Sequence, residues 1–184
     1  MRHIHHLVMD PGHGGANFGT AQVALCGAPI VRDEEIWVYH IACRHRGHRD
    51  LFAHMDPAIY NDDFFDPTTV ICLARLRRDG FVSLDVGSSL GTVTTRPMTT
   101  TGDKLIVNAD ARFGSIRVEV LEADGSPVKG FGKEDADPLT GDSVRHEVTW
   151  NGKGSMSRLR AAPFALRFHM DRAKLYSFVF NQDN

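Results

Sequence analysis

Through much of the second half of the chain, apolar side chains recur at every second position, a period that admits only half-buried strands. In Ser115–Leu121, Ile116, Val118 and Val120 alternate with Arg117 and Glu119. In Phe164–Met170, Phe164, Leu166, Phe168 and Met170 share one face, and Arg167 and His169 take the other. Such alternation marks antiparallel strands with one face on a core and one in water. Lys104–Ala109, Arg145–Trp150 and Lys174–Phe180 follow the same rule. Thr99–Asp103, Ala123–Ser126 and Asn151–Gly154 read as turns, with Gly supplying positive φ where it is needed. A short helical turn is expected over Met156–Arg160. Roughly eight short strands separated by turn chemistry predict a sandwich or jelly roll.

The texture differs before Arg78-Asp79, where eight of the ten histidines lie. Ala21–Leu25 and Glu35–Cys43 read as strands with a hairpin turn at Arg32-Asp33-Glu34. Ile36, Trp37, Val38, Tyr39 and Ile41 are the β-branched and aromatic types that suit a pleated surface. Thr69–Arg75 is a third strand. Arg44–Asp66 between them is a polar stretch longer than compact domains usually carry, hence functional or disordered. The division expected is 1–79 and 80–184.

A formal charge of −2 gives no reason to expect a nucleic-acid partner or an anionic membrane surface. No apolar run approaches the roughly 18 residues that span a bilayer. Met1–Met9 lacks the apolar core and cleavage site of a signal peptide, so the sequence assigns no localisation. Cys26, Cys43 and Cys72 form an odd set without a close pair and read as free, buried thiols.

Three segments carry a resemblance. They are Gly27-Ala28-Pro29-Ile30-Val31-Arg32-Asp33-Glu34-Glu35-Ile36-Trp37-Val38-Tyr39, then Leu73-Ala74-Arg75-Leu76-Arg77-Arg78-Asp79-Gly80-Phe81-Val82-Ser83-Leu84-Asp85, then Asp137–Trp150. Together they resemble the last propeller blade, the linker and the C-terminal β-sandwich of bacterial five-bladed β-propeller proteins of the glycoside-hydrolase type, related to invertases and arabinanases. His40-Ile41-Ala42 departs from the Tyr-Gly-Gly of that pattern. The resemblance implies an all-β chain, with a partial β-propeller blade (1–79) followed by a jelly-roll-like antiparallel β-sandwich (80–184). A five-bladed propeller takes roughly 300 residues at four strands per blade, so the remaining blades would be missing from this chain. An open blade edge favours self-association.

In the resembled enzymes the catalytic carboxylates sit in the earlier blades, so no residue here inherits a catalytic role. Glycoside hydrolysis needs two carboxylates across the scissile bond. Asp33, Glu34 and Glu35 form an acidic cluster, but at a hairpin tip such a cluster reads as solvated turn chemistry. Asp135, Asp137 and Asp142, with Thr140 and Ser143, are read as one loop. They either offer oxygen ligands to a cation such as Ca²⁺ or pair with Arg145 to fix the sandwich. His40, His45, His48 and His54 with Cys43 have a metal-site composition without zinc-site spacing. Asp10–Gly15 is Gly-rich without the context of a phosphate loop. Trp37, Tyr39 and Trp150 are candidate carbohydrate contacts, since apolar sugar faces stack on aromatic rings, with core burial the competing reading for Trp150.

The function these readings point to is a non-catalytic accessory region of a glycoside-hydrolase-like protein, stabilising its propeller and contacting carbohydrate. The alternatives are a glycosidase assembled from several chains through Asp33, Glu34 and Glu35, and a structural or interaction module without sugar affinity.

Overall fold

The computed structural model of the protein describes residues 22–43, 69–160 and 162–181. These fall into two compact units, one ending at Arg78 and the other beginning at Asp79. Both are built of β-strands, so the chain is all-β.

The first unit is a sheet of β1 (Gln22–Leu25), β2 (Ile30–Arg32), β3 (Glu35–Cys43) and β4 (Thr69–Arg77). β3 is its spine. β1 and β2 pair with successive stretches of one edge of β3, and β4 runs antiparallel along the other edge from Glu35↔Arg77 to Cys43↔Thr69. The β2–β3 turn places Asp33 at φ 42, a left-handed conformation that Asp tolerates better than most residues. Arg78 holds this turn, donating from its backbone N–H to Glu34 O (2.8 Å) and from Nη1 to Asp33 O (3.0 Å). Ile36, Val38 and Ala42 are buried on one face of β3. β2 is a strand the sequence reading left out, because three residues show no period.

The second unit contains β5 (Leu84–Val86), β6 (Gly91–Thr94), β7 (Lys104–Leu121), β8 (Leu139–Glu147), β9 (Ala165–Asp171) and β10 (Ala173–Asn181). They form one sheet in the order β5-β10-β7-β9-β6, with β8 also on β7, and the sheet curls into a nearly closed, barrel-like shape. The first half of β7 pairs with β10, from Lys104↔Asn181 to Asp110↔Lys174. Its second half pairs with β9, from Ser115↔Asp171 to Leu121↔Ala165.

Two strands were expected where β7 runs as one. Asp110–Gly114 interrupts the alternation and so reads as a break, yet the chain bends there without leaving the sheet. Opposite the bend, Arg172 separates β9 from β10 at φ 41. At this corner a Cβ on Gly114 would lie 1.9 Å from the Asp171 carbonyl oxygen, so only glycine fits.

The expected strand at Arg145–Trp150 is also displaced. β8 occupies Leu139–Glu147, where only Leu139 and Val144 are apolar and the period is hard to read. Val148–Trp150 instead fold inward, with Val148 N–H donating to Leu105 O at 2.9 Å. The expected helical turn is a 3-10 turn at Ser157–Leu159.

The core of this unit joins Leu105, Val107, Val118 and Val120 of β7 to Leu166, Phe168 and Met170 of β9. Phe168 meets Phe178 at 5.6 Å between ring centroids, and Phe164 meets Phe180 edge-on at 5.8 Å. Both separations lie in the range where aromatic pairs add to simple area burial.

Candidate functional site

Trp150 starts a two-residue hairpin. Its N–H donates to Lys153 O at 2.8 Å, and Lys153 N–H returns a bond to Trp150 O at 3.1 Å. The central pair, Asn151 (φ 51) and Gly152 (φ 74), has the two positive φ angles of a type I′ turn. Asp135 and Asp137 tie this hairpin to the preceding segment. Asp135 O accepts from Asn151 N–H (2.8 Å), and its Oδ1 accepts from Asn151 Nδ2 (3.1 Å). Asp137 Oδ2 accepts from Thr149 Oγ1 (2.5 Å) and Gly152 N–H (2.8 Å). Those bonds, with Arg117 nearby, hold the Asp137 carboxyl below the usual carboxylate range.

The structure therefore brings Trp150, Asp135 and Asp137 together, though not as a sugar platform with a cation site. The two aspartates spend their oxygens on protein donors, as turn-fixing residues do. Trp150 is 3% exposed, donates from Nε1 to Val118 O at 2.8 Å, and meets Phe131 edge-on at 4.8 Å. Its ring belongs to the core and is closed to stacking on a sugar.

Asp142 and Arg145 belong elsewhere. Both lie on β8, and Asp142 pairs across the sheet with Asp110, where Arg112 lies 3.9 Å from its carboxylate. Arg145 is exposed and forms no ion pair among the described residues, so the expected loop-fixing pair is absent there. The single loop of the sequence reading splits because β8 begins at Leu139, between Asp137 and Asp142. Among the described residues no three His, Cys, Asp or Glu side chains gather as a ligand set.

In the first unit, register puts Trp37 and Tyr39 on the face of β3 opposite Ile36 and Val38. Trp37 is half-buried between two guanidinium groups, Arg32 at 4.6 Å and Arg75 at 5.9 Å from its ring centroid. Its Nε1 donates to Glu35 Oε2 at 2.8 Å, and Arg75 pairs with the same carboxylate. The Trp37 ring is thus committed to an Arg–Trp–Arg ladder. Tyr39 stays exposed. Glu35 has its carboxyl lowered, chiefly by Arg75 and then by Trp37, the opposite of what a general acid requires. Asp33 and Glu34 make the turn.

His40 lies across from Cys72, with its buried Nδ1 unpartnered in the described structure. His45, His48, His54, the Arg44–Asp66 stretch and Asp10–Gly15 lie outside the described residues. Two thiols depart from the expected burial: Cys26, just after β1, is exposed, and Cys72 on β4 is half-buried, while the Cys43 side chain lies outside what the structure describes.

Two features escaped the sequence reading. Glu119 is buried on the polar side of β7, accepting from His169 Nε2 (3.0 Å) and Arg167 Nη1 (3.3 Å). Strict alternation had placed all three in solvent. The second is a cavity of about 420 Å³ beside the hairpin, lined by Asn151, Lys153, Ser155, Ser157 and Arg158 over Phe131 and Trp150. The Asn-Gly pair was the one signal of it in the sequence. Comparison with protein-family models, curated proteins and solved structures returns no match.

Proposed function

We propose that this chain is a non-catalytic accessory region of a glycoside-hydrolase-like protein, with a blade-type sheet that packs on a neighbouring propeller blade and a jelly-roll-like sandwich that contacts carbohydrate. The observation that supports it best is the outer face of the first sheet. Register places Ile30, Tyr39, Ile71 and Leu73 together on that face, exposed by 47, 39, 75 and 39%. The opposite face buries Ile36, Val38 and Ala42. A strand apolar on both faces suits a sheet covered on both sides. A propeller blade is such a sheet, and a neighbouring blade is the partner that would cover an apolar face of this kind. Among the described residues β4 has no strand on its outer edge, which adds a second route to association.

The test joins two measurements on the full chain. A panel of aryl glycosides should remain unhydrolysed, and turnover of any of them sinks the accessory reading. Sedimentation equilibrium should show concentration-dependent association that Ile71→Asp weakens. A strictly monomeric chain, or association unchanged in the variant, would remove the docking face.

A further inference from the structure

We infer that the cavity beside the Trp150 hairpin binds an acidic saccharide, its carboxylate or sulfate group held between Lys153 and Arg158. This inference rests on the carbohydrate contact proposed above and gives it a place and a ligand class. The charge of the lining comes first. Among the described residues, Lys153 and Arg158 are its only ionisable side chains, and neither has a carboxylate partner there. By contrast, the cations of the groove beside Phe113 are matched by acids: Arg112 by Asp110, Arg172 by Asp171 and Lys174 by Asp85. Two unmatched cations on one concave surface call for an anion.

The fold positions the Arg158 guanidinium and the backbone of Lys153. The Arg158 guanidinium lies 4.3 Å over the Phe131 ring and donates to Lys129 O. Gly130 leaves its slot open, since a Cβ there would come within 3.2 Å of Arg158 Nη2. A guanidinium anchored by a ring and a carbonyl keeps further N–H groups for a carboxylate or sulfate, and this anchoring lowers the entropy cost of binding. Lys153 is fixed through its backbone by the hairpin that Asp135 and Asp137 brace.

The remaining lining chooses among anions. Ser155, Ser157 and Asn151 offer hydroxyl and amide groups suited to ring hydroxyls, and Ser155 Oγ already bonds Ser157 Oγ at 3.1 Å. A cavity of about 420 Å³ falls in the range of organic-ligand sites and far exceeds an inorganic ion. An anionic group on a polyhydroxylated ring satisfies the charge, the hydroxyl donors and acceptors, and the volume together.

Calorimetric titration of the full chain tests this with four probes: digalacturonate, a sulfated disaccharide, a neutral disaccharide and inorganic sulfate. At least one acidic disaccharide should bind, more weakly at higher salt, and more tightly than the neutral disaccharide or inorganic sulfate. Lys153→Ala should weaken it by about tenfold or more, the loss of one charge-assisted contact, and Lys153→Arg should restore most of it. Lys153 is exposed on a turn, so both variants should keep the wild-type melting curve. Equal binding of acidic and neutral sugars, no acidic binding, or affinity unchanged in Lys153→Ala would each overturn the inference. Inorganic sulfate binding as tightly as the sulfated disaccharide would reduce the site to a simple anion pocket and overturn it too. Hydrolysis of aryl glycosides would end the accessory reading while leaving this pocket standing; failure of the four probes would end the pocket and leave the docking face.

Discussion

Trp150 and Asp137 show how a residue type announces chemistry that its neighbours then redirect. A tryptophan and three aspartates near one another suggest a sugar platform and a cation. The fold uses the tryptophan as a core ring whose N–H satisfies Val118 O and two of the aspartates as braces. Trp150→Phe keeps most of the buried area but strands that carbonyl, so urea unfolding should report a loss of about 1–3 kcal/mol. Asp137 carries a pH signature. Its folded pKa is lowered, so its contribution to stability is complete above the unfolded carboxylate value of about 3.9 and is lost as pH falls through the folded value. Thermal melts across the acidic range should therefore show the wild-type advantage over Asp137→Asn shrinking below about pH 4. A gap that persists unchanged into stronger acid would mean that the carboxylate charge is not what holds the hairpin. Glu119 teaches the converse: alternation assigns a side to each residue, but it cannot show that Arg167 and His169 will close over a carboxylate on that side.

Among elements, legibility followed period. Ser115–Leu121 and Phe164–Met170 alternate cleanly and lie within or almost within a strand, while Lys174–Phe180 lies in one despite the bulge between Leu175 and Ser177 that breaks its rhythm. Asn151-Gly152 was legible as a turn because its chemistry is local. β8 was misplaced, since Thr140, Gly141, Asp142 and Ser143 give a strand no apolar rhythm. β7 was cut in two because Asp110–Gly114 carries turn-like residues, and only the partner strands reveal that the chain bends and continues. Gly114 makes that corner possible. Gly114→Ala would drive a methyl into the Asp171 carbonyl and should cost about 3 kcal/mol or more, the upper end of overpacking effects. Gly87→Ala, in the same unit with nothing within 4 Å of the added methyl, should change stability by no more than about 0.5 kcal/mol. Paired denaturation curves decide it; equal effects at the two sites would show that the corner tolerates a side chain.

Over the whole molecule, composition and alternation made the all-β class legible, but the candidate pocket was not. Lys153 and Arg158 come from a hairpin and a 3-10 turn, and their meeting in one cavity depends on tertiary packing that no spacing rule encodes. The energetic centre of the chain is equally a tertiary fact. Among the described residues, every member of the main buried cluster lies between Leu105 and Leu175, inside the unit that begins at Asp79. A unit with its own core is expected to fold by itself. Residues 79–184 expressed alone should therefore unfold cooperatively, with a Tm within about 4–8 °C of the transition that reports this unit in the full chain, equivalent to about 1 kcal/mol. Loss of cooperativity in that fragment would mean that residues before Asp79 supply part of its core. If the fragment folds, titrating it with the acidic disaccharides should reproduce the full chain's affinity, because every described lining residue of the hairpin cavity lies between Gly130 and Arg158.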